Sequence, residues 1–117
     1  MNTAIRNFGA ATVVDITGHI DLGSSPALRK AMLECLKGTD RMAANLAGVK
    51  YIDSSGIASL LEVLKEARKS KKKFVLFGLT AGVREVLQLT RLTGVFEIFE
   101  SEDGALGSAL SHGSSCP

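Results

Sequence analysis

Met42–Leu64, "MAANLAGVKYIDSSGIASLLEVL", passes from an apolar run through Asp53-Ser54-Ser55-Gly56 into apolar residues at helical spacing. The first part, "MAANLAGV", reads as a short strand interrupted by Asn45. The last part sets Ile57, Leu60, Leu61 and Leu64 on one helical face. A strand that feeds directly into an amphipathic helix is half of a parallel crossover, so this stretch predicts an α/β fold. In open sheets of that class, functional groups gather beyond the carboxyl ends of strands. Asp53 to Gly56 fall in that place.

The flanking sequence repeats the pattern. Toward the N-terminus, "TAIRNF" and "ATVVDITG" are β-like runs separated by Gly9-Ala10, which predicts an antiparallel hairpin. After "GHIDLGSS", Pro26 stands where a first helical turn favours proline, with Ser25 as the expected cap. Leu28, Ala31, Met32, Cys35 and Leu36 then share a helical face until Gly38. Toward the C-terminus, the central helix runs out through "EARKSKKK" into "FVLFGL", the clearest buried strand. Thr80 is placed to cap a third helix carrying Val83, Val86 and Leu87. "GVFEIFE" reads as a final strand, and Ser101 with Asp103 opens a last helix through Leu110. The order β-β-α-β-α-β-α-β-α implies a mostly parallel mixed sheet, an antiparallel N-terminal hairpin and helices packed against it.

Composition fits one such domain. The chain has 117 residues, 45% hydrophobic and 22% charged, with a formal net charge of +2. That charge is too small to call for nucleic acid, and the single tyrosine with no tryptophan offers little to stack on bases. The basic run Lys69 to Lys73 lies where a helix ends, and cations there complement the helix dipole. No apolar run reaches the ~18 residues of a membrane helix, and the N-terminus does not resemble a secretory signal, so a cytoplasmic location is expected. Cys35 sits on a helical stripe and Cys116 in a Gly/Ser-rich tail; neither has metal-site spacing. Residues 1–110 are expected to form the domain and 111–117 a flexible tail. The expected assembly is a monomer or weak dimer, with no metal and no cofactor.

Asp53-Ser54-Ser55-Gly56 admits three readings. The plainest is a helix cap, yet one capping residue suffices, and Gly56 lowers helix propensity by roughly 1 kcal/mol against alanine. Glycine also lets another surface approach the backbone closely. The second is a nucleophilic serine, which needs a base and an oxyanion hole. Only His19 and His112 are available, and the G-x-S-x-G elbow is absent. "GLTAG" likewise lacks the spacing of a phosphate-binding loop. The third is a phosphate acceptor. A phosphate at the positive end of a helix would meet backbone N–H groups and the helix dipole, while adding about −1.5 to −2 charge beside Asp53.

The chain resembles the STAS domain, and within it the bacterial anti-sigma factor antagonists. The likeness covers roughly Ala4 to Leu110 and rests on "VVDITGHIDLGSSPALRKAM", "ANLAGVKYIDSSGIASLLEVLKEAR" and "KKFVLFGLTAGVREVLQLTRLTGVFEIFESEDGAL". The resemblance implies a partner switch. In it, an unmodified antagonist binds an anti-sigma factor that is also a serine kinase of the GHKL ATPase fold, and so frees the sigma factor. Phosphorylation releases the antagonist, and a PP2C-type phosphatase resets it. By position in the motif, the acceptor is Ser54, with Ser55 at the neighbouring Ser/Thr position. Asp53, Gly56 and Ile57 flank it, and Asp21, Gly23, Ser24 and Ser25 belong to the matching first loop, so these are the expected partner-binding residues. No residue is assigned a catalytic role. Asn45 departs from the aspartate that many members carry. Other STAS domains act as non-switching adaptors in lipid-transport or sensory complexes, and that alternative stays open at this stage.

Overall fold

Gly9, at φ 70°, makes the two-residue turn that closes an antiparallel hairpin between β1 (Asn2–Phe8) and β2 (Ala11–Ile20). A positive φ is cheap only for glycine, which explains the residue at this corner. From β2 onward each strand is followed by a helix. The computed structural model, which describes residues 1–106, orders α1 (Ser25–Lys37), β3 (Arg41–Ile52), α2 (Ser54–Lys69), β4 (Lys73–Phe77), α3 (Ala81–Leu89) and β5 (Glu97–Phe99). A helical turn over residues 102–106 follows, its start capped where the Gly104 N–H donates to Ser101 Oγ at 3.2 Å.

The strands lie in the order β1-β2-β3-β4-β5, with β1 antiparallel and the rest parallel. Because each strand adds beside its predecessor, every right-handed crossover lays its helix on the same face. Leu28, Met32 and Leu36 of α1, Ile57, Leu60 and Val63 of α2, and Val83 and Leu87 of α3 accordingly share one core with Val14, Ile16, Met42 and Leu76. The opposite face is left to the 102–106 turn, whose Ala105 and Leu106 pack on Ala11, Val13, Ala43, Val75 and Phe77. Arg6 clamps that turn to the sheet, donating to Asp15 at 2.7 Å and 2.9 Å and to Glu102 at 2.6 Å and 3.2 Å.

Several boundaries differ from the sequence reading. β3 continues through "KYI" to Ile52, because its parallel pairing with β2 persists to Ile20↔Ile52 after two register shifts. The last strand shrinks to three residues. The cap position of α1 is Ser24 rather than Ser25, and its side chain makes no capping bond. Ala31 and Cys35 are half-buried at the rim of the core, where burial pushes the Cys35 thiol pKa up. The sequence-predicted helix through Leu110 and tail 111–117 extend outside the described residues.

Candidate functional site

Two polar loops meet beyond the carboxyl ends of β2 and β3. The Asp53 N–H donates to the Ile20 carbonyl at 3.1 Å, tying the last residue of one strand to the residue after the other. The first turn of α2 is then pressed against the end of β2 at Gly56. A Cβ on Gly56 would lie 2.6 Å from Ile20 Cγ2 and 2.7 Å from Ile52 Cγ1. The glycine is there because the helix approaches two β-branched side chains too closely for anything larger. Farther along, Ser59 Oγ donates to the Ser25 carbonyl at 3.3 Å and fixes the starts of α1 and α2 side by side.

The first loop is a closed polar turn. The Asp21 carboxylate accepts from the N–H groups of Gly23 at 3.0 Å and Ser24 at 3.1 Å, and from Ser24 Oγ at 3.2 Å. Ser24 Oγ also lies 3.0 Å from the His19 carbonyl and accepts from the Asp21 N–H at 3.0 Å. The Ser24 N–H, followed by burial in opposition and then further bonds from Ser24 and Gly23, holds the Asp21 carboxyl below the usual aspartate range.

The second loop is built differently. Asp53 is the N-cap of α2, and its Oδ1 accepts from the N–H groups of Ser55 at 2.9 Å and Gly56 at 3.1 Å. The helix is thereby capped without either serine. Ser54 is exposed and Ser55 half-buried, and among the described residues neither hydroxyl has a hydrogen-bond partner. A free hydroxyl is therefore presented at the positive end of a 16-residue helix.

Hydroxyl chemistry needs a base, and the loop provides none in contact. His19, the one histidine among the described residues, sits edge-on to Tyr51 with ring centroids 6.1 Å apart, and no hydrogen bond joins it to Ser54. Among the described residues no group of His, Cys, Asp and Glu is placed to hold a metal ion. What the geometry offers is a free hydroxyl next to a capping carboxylate, in a loop that meets a second carboxylate turn.

Residues 2–105 match the STAS domain. The chain belongs to the STAS domain family. The anti-sigma-B factor antagonist of Staphylococcus epidermidis is 24% identical to it over 91 residues, spanning 77% of this chain and 84% of the relative. In fold, this STAS domain superposes on the unphosphorylated form of the anti-sigma factor antagonist SpoIIAA with a TM-score of 0.80 at 17% identity, covering 94% and 97% of the two chains. The phosphorylated form of the Bacillus SpoIIAA gives a TM-score of 0.72 at 16% identity, covering 92% and 99%.

The structure assembles all the residues singled out in the STAS motif, but not all of them on the surface. Asp21, Gly23, Ser24, Asp53, Ser54 and Ser55 reach solvent to different degrees, whereas Ser25, Gly56 and Ile57 are buried and shape the site from beneath. The expectation that helix N–H groups would be free for a phosphate also changes, since Asp53 already holds two of them. Two residues escaped the sequence reading. Leu22 is 74% exposed in the first loop, and Tyr51 is 52% exposed one residue before the end of β3. The register shifts in β2–β3 set His19 opposite Tyr51 at the sheet's upper end, and alternation alone does not reveal them. A leucine inside a Gly/Ser turn was the only available signal.

Among the described residues no helix is long and apolar enough to cross a membrane.

Proposed function

We propose that this chain is an anti-sigma factor antagonist that binds its anti-sigma factor when Ser54 is unmodified and releases it when Ser54 is phosphorylated. The observation that carries this reading is the division of labour at the start of α2. Asp53 does the capping, so the exposed Ser54 hydroxyl has no structural duty and can be modified without unfolding the helix. The partner in this reading is an anti-sigma factor with serine kinase activity of the GHKL type, and a PP2C-type phosphatase restores the hydroxyl.

The electrostatics favour an outward-acting switch. A phosphate on Ser54 adds about −1.5 to −2 charge. Asp53 occupies the Ser55 and Gly56 N–H groups and repels it, so little in the chain itself neutralises the new charge. The dianion is instead directed at whatever covers the loop. Leu22 and Tyr51 supply an apolar element beside the two carboxylate turns, the mixture expected of a contact centre with a polar rim. A buried interfacial charge left without a partner costs about 2–5 kcal/mol, equivalent to roughly 30-fold to several-thousand-fold in affinity.

Calorimetric titration of unmodified, Ser54-phosphorylated and Ser54→Asp protein against the cognate kinase tests the reading. The expected order of affinity is unmodified, then Ser54→Asp, then phosphorylated, since aspartate adds one charge where phosphate adds nearly two. Ser54→Ala should accept no label from ATP while Ser55→Ala retains it. Equal affinity of the unmodified and phosphorylated forms would instead favour a non-switching adaptor.

A further inference from the structure

The two edges of the sheet are unlike. β5 is three residues long and is followed by Glu100, a short and charged border that resists strand addition. β1 is seven residues long, pairs with β2 without a register shift, and among the described residues no strand pairs with its outer side. Of the six large apolar side chains left exposed among the described residues, Met1, Ile5 and Phe8 are on or beside this strand. Its one charged residue, Arg6, is already neutralised by Asp15 and Glu102, so it does not act as a repelling gatekeeper.

The hairpin determines which backbone groups of β1 point outward. Phe8↔Ala11 flanks a two-residue turn and is therefore a hydrogen-bonded pair. Alternation then directs the groups of Asn2, Ala4, Arg6 and Phe8 toward β2, and leaves those of Thr3, Ile5 and Asn7 facing outward. The Thr12–Asn7 side-chain bond at 3.1 Å agrees, because non-hydrogen-bonded pairs bring side chains closest.

We propose that β1 pairs antiparallel with β1 of a second copy of this chain, about a two-fold axis through Ile5. Ile5 is the middle residue of Asn2–Phe8, so the strand is in register with itself when Ile5 meets Ile5. On the helix-bearing face, Ile5 then packs on its twin and Thr3 faces Asn7. On the other face, Ala4 faces Arg6 and Asn2 faces Phe8. No like charges are opposed, and the outward groups of Thr3, Ile5 and Asn7 supply about six hydrogen bonds. The axis passes beside Val14, in the middle of β2, while Asp21 and Asp53 follow its end and that of β3. Both loops therefore remain open, and the pairing stands independently of what Ser54 does. So small an interface makes a weak dimer that dissociates on dilution.

Sedimentation and amide hydrogen exchange of the full chain test the pairing across a dilution series. The expected result is a monomer–dimer equilibrium in which the amides of Thr3, Ile5 and Asn7 slow at high concentration, while those of Ala4 and Arg6 do not change. Ile5→Lys places two ammonium groups on the axis and should weaken the dimer at least tenfold, with an unchanged circular dichroism spectrum showing that the monomer folds. A monomer at every concentration would overturn the proposal. So would a dimer whose Thr3, Ile5 and Asn7 amides exchange as in the monomer, or one that Ile5→Lys leaves intact.

Discussion

The starts of α1 and α2 lie side by side and solve the same problem in opposite ways. Each follows a parallel strand, each has serines before its first apolar residue, and each has an aspartate nearby. At α1 the aspartate stands at a distance, and Ser24 is drawn into its turn by bonds to Asp21 and the His19 carbonyl. Ser25 is buried. At α2 the aspartate is itself the cap, and both serine hydroxyls are left over. The difference teaches that polar residues before a helix are not equivalent. Where the cap lies decides which hydroxyl is structural and which is available to another molecule.

The largest expected effect comes from the contact that makes α2's start possible. Gly56→Ala pushes a methyl into Ile20 and Ile52 at distances no real Cβ tolerates, and both neighbours are stiff at χ1. A loss of about 2–3 kcal/mol should appear in urea unfolding, typical of overpacking. An unchanged midpoint would mean that α2 can slide away from β2, and that the two loops are not rigidly joined.

Asp53→Ala sharpens the contrast between the loops directly. It removes the acceptor for the Ser55 and Gly56 N–H groups, and should cost about 1 kcal/mol in the same experiment. If Ser54 took over as the cap, the loss would be smaller, and its hydroxyl would cease to be a ready acceptor in a kinase assay.

A smaller effect is expected at α1 and only in acid. The folded chain holds the Asp21 pKa below its ordinary value of about 3.9, so Asp21 binds its proton more readily when unfolded. Its contribution is fully present above the unfolded value and is lost as pH falls through the folded one. Asp15, lowered chiefly by the Arg6 guanidinium, adds to stability with the same sign. Urea melts from pH 6 to about pH 2 should therefore fall less steeply for Asp21→Asn than for the unchanged chain. A steeper fall would reverse the assignment.

Ser54→Ala should have the smallest effect on folding, within about 0.5 kcal/mol, because the side chain is exposed and unpartnered. A thermal melt lowered by many degrees would show a structural duty for Ser54 and remove the basis for treating it as free.

Legibility in the sequence followed the range of the forces. The Gly9 corner, the Thr80 cap and the β-α alternation are local choices, and the Thr80 cap is present as the Val83 N–H bond at 3.4 Å. Where neighbouring elements decided, the reading moved. β3 runs on to Ile52 because β2 is there to pair with it, and Cys35 packs against the core only from its rim.

The site divides along the same line. Hydrophobic period and turn chemistry, acting over a few residues, were enough to put Asp53-Ser54-Ser55-Gly56 between a strand and a helix of an α/β sheet. The identity of the cap was not decidable there, since three consecutive residues could each have served. Tertiary structure decided it by docking Gly56 against Ile20 and Ile52, an approach that only a residue without a side chain permits. With the helix start held in that place, Asp53 lies over the free N–H groups and Ser54 turns to solvent. Leu22 and Tyr51 come to the same end of the sheet only because two strands far apart in the chain end together.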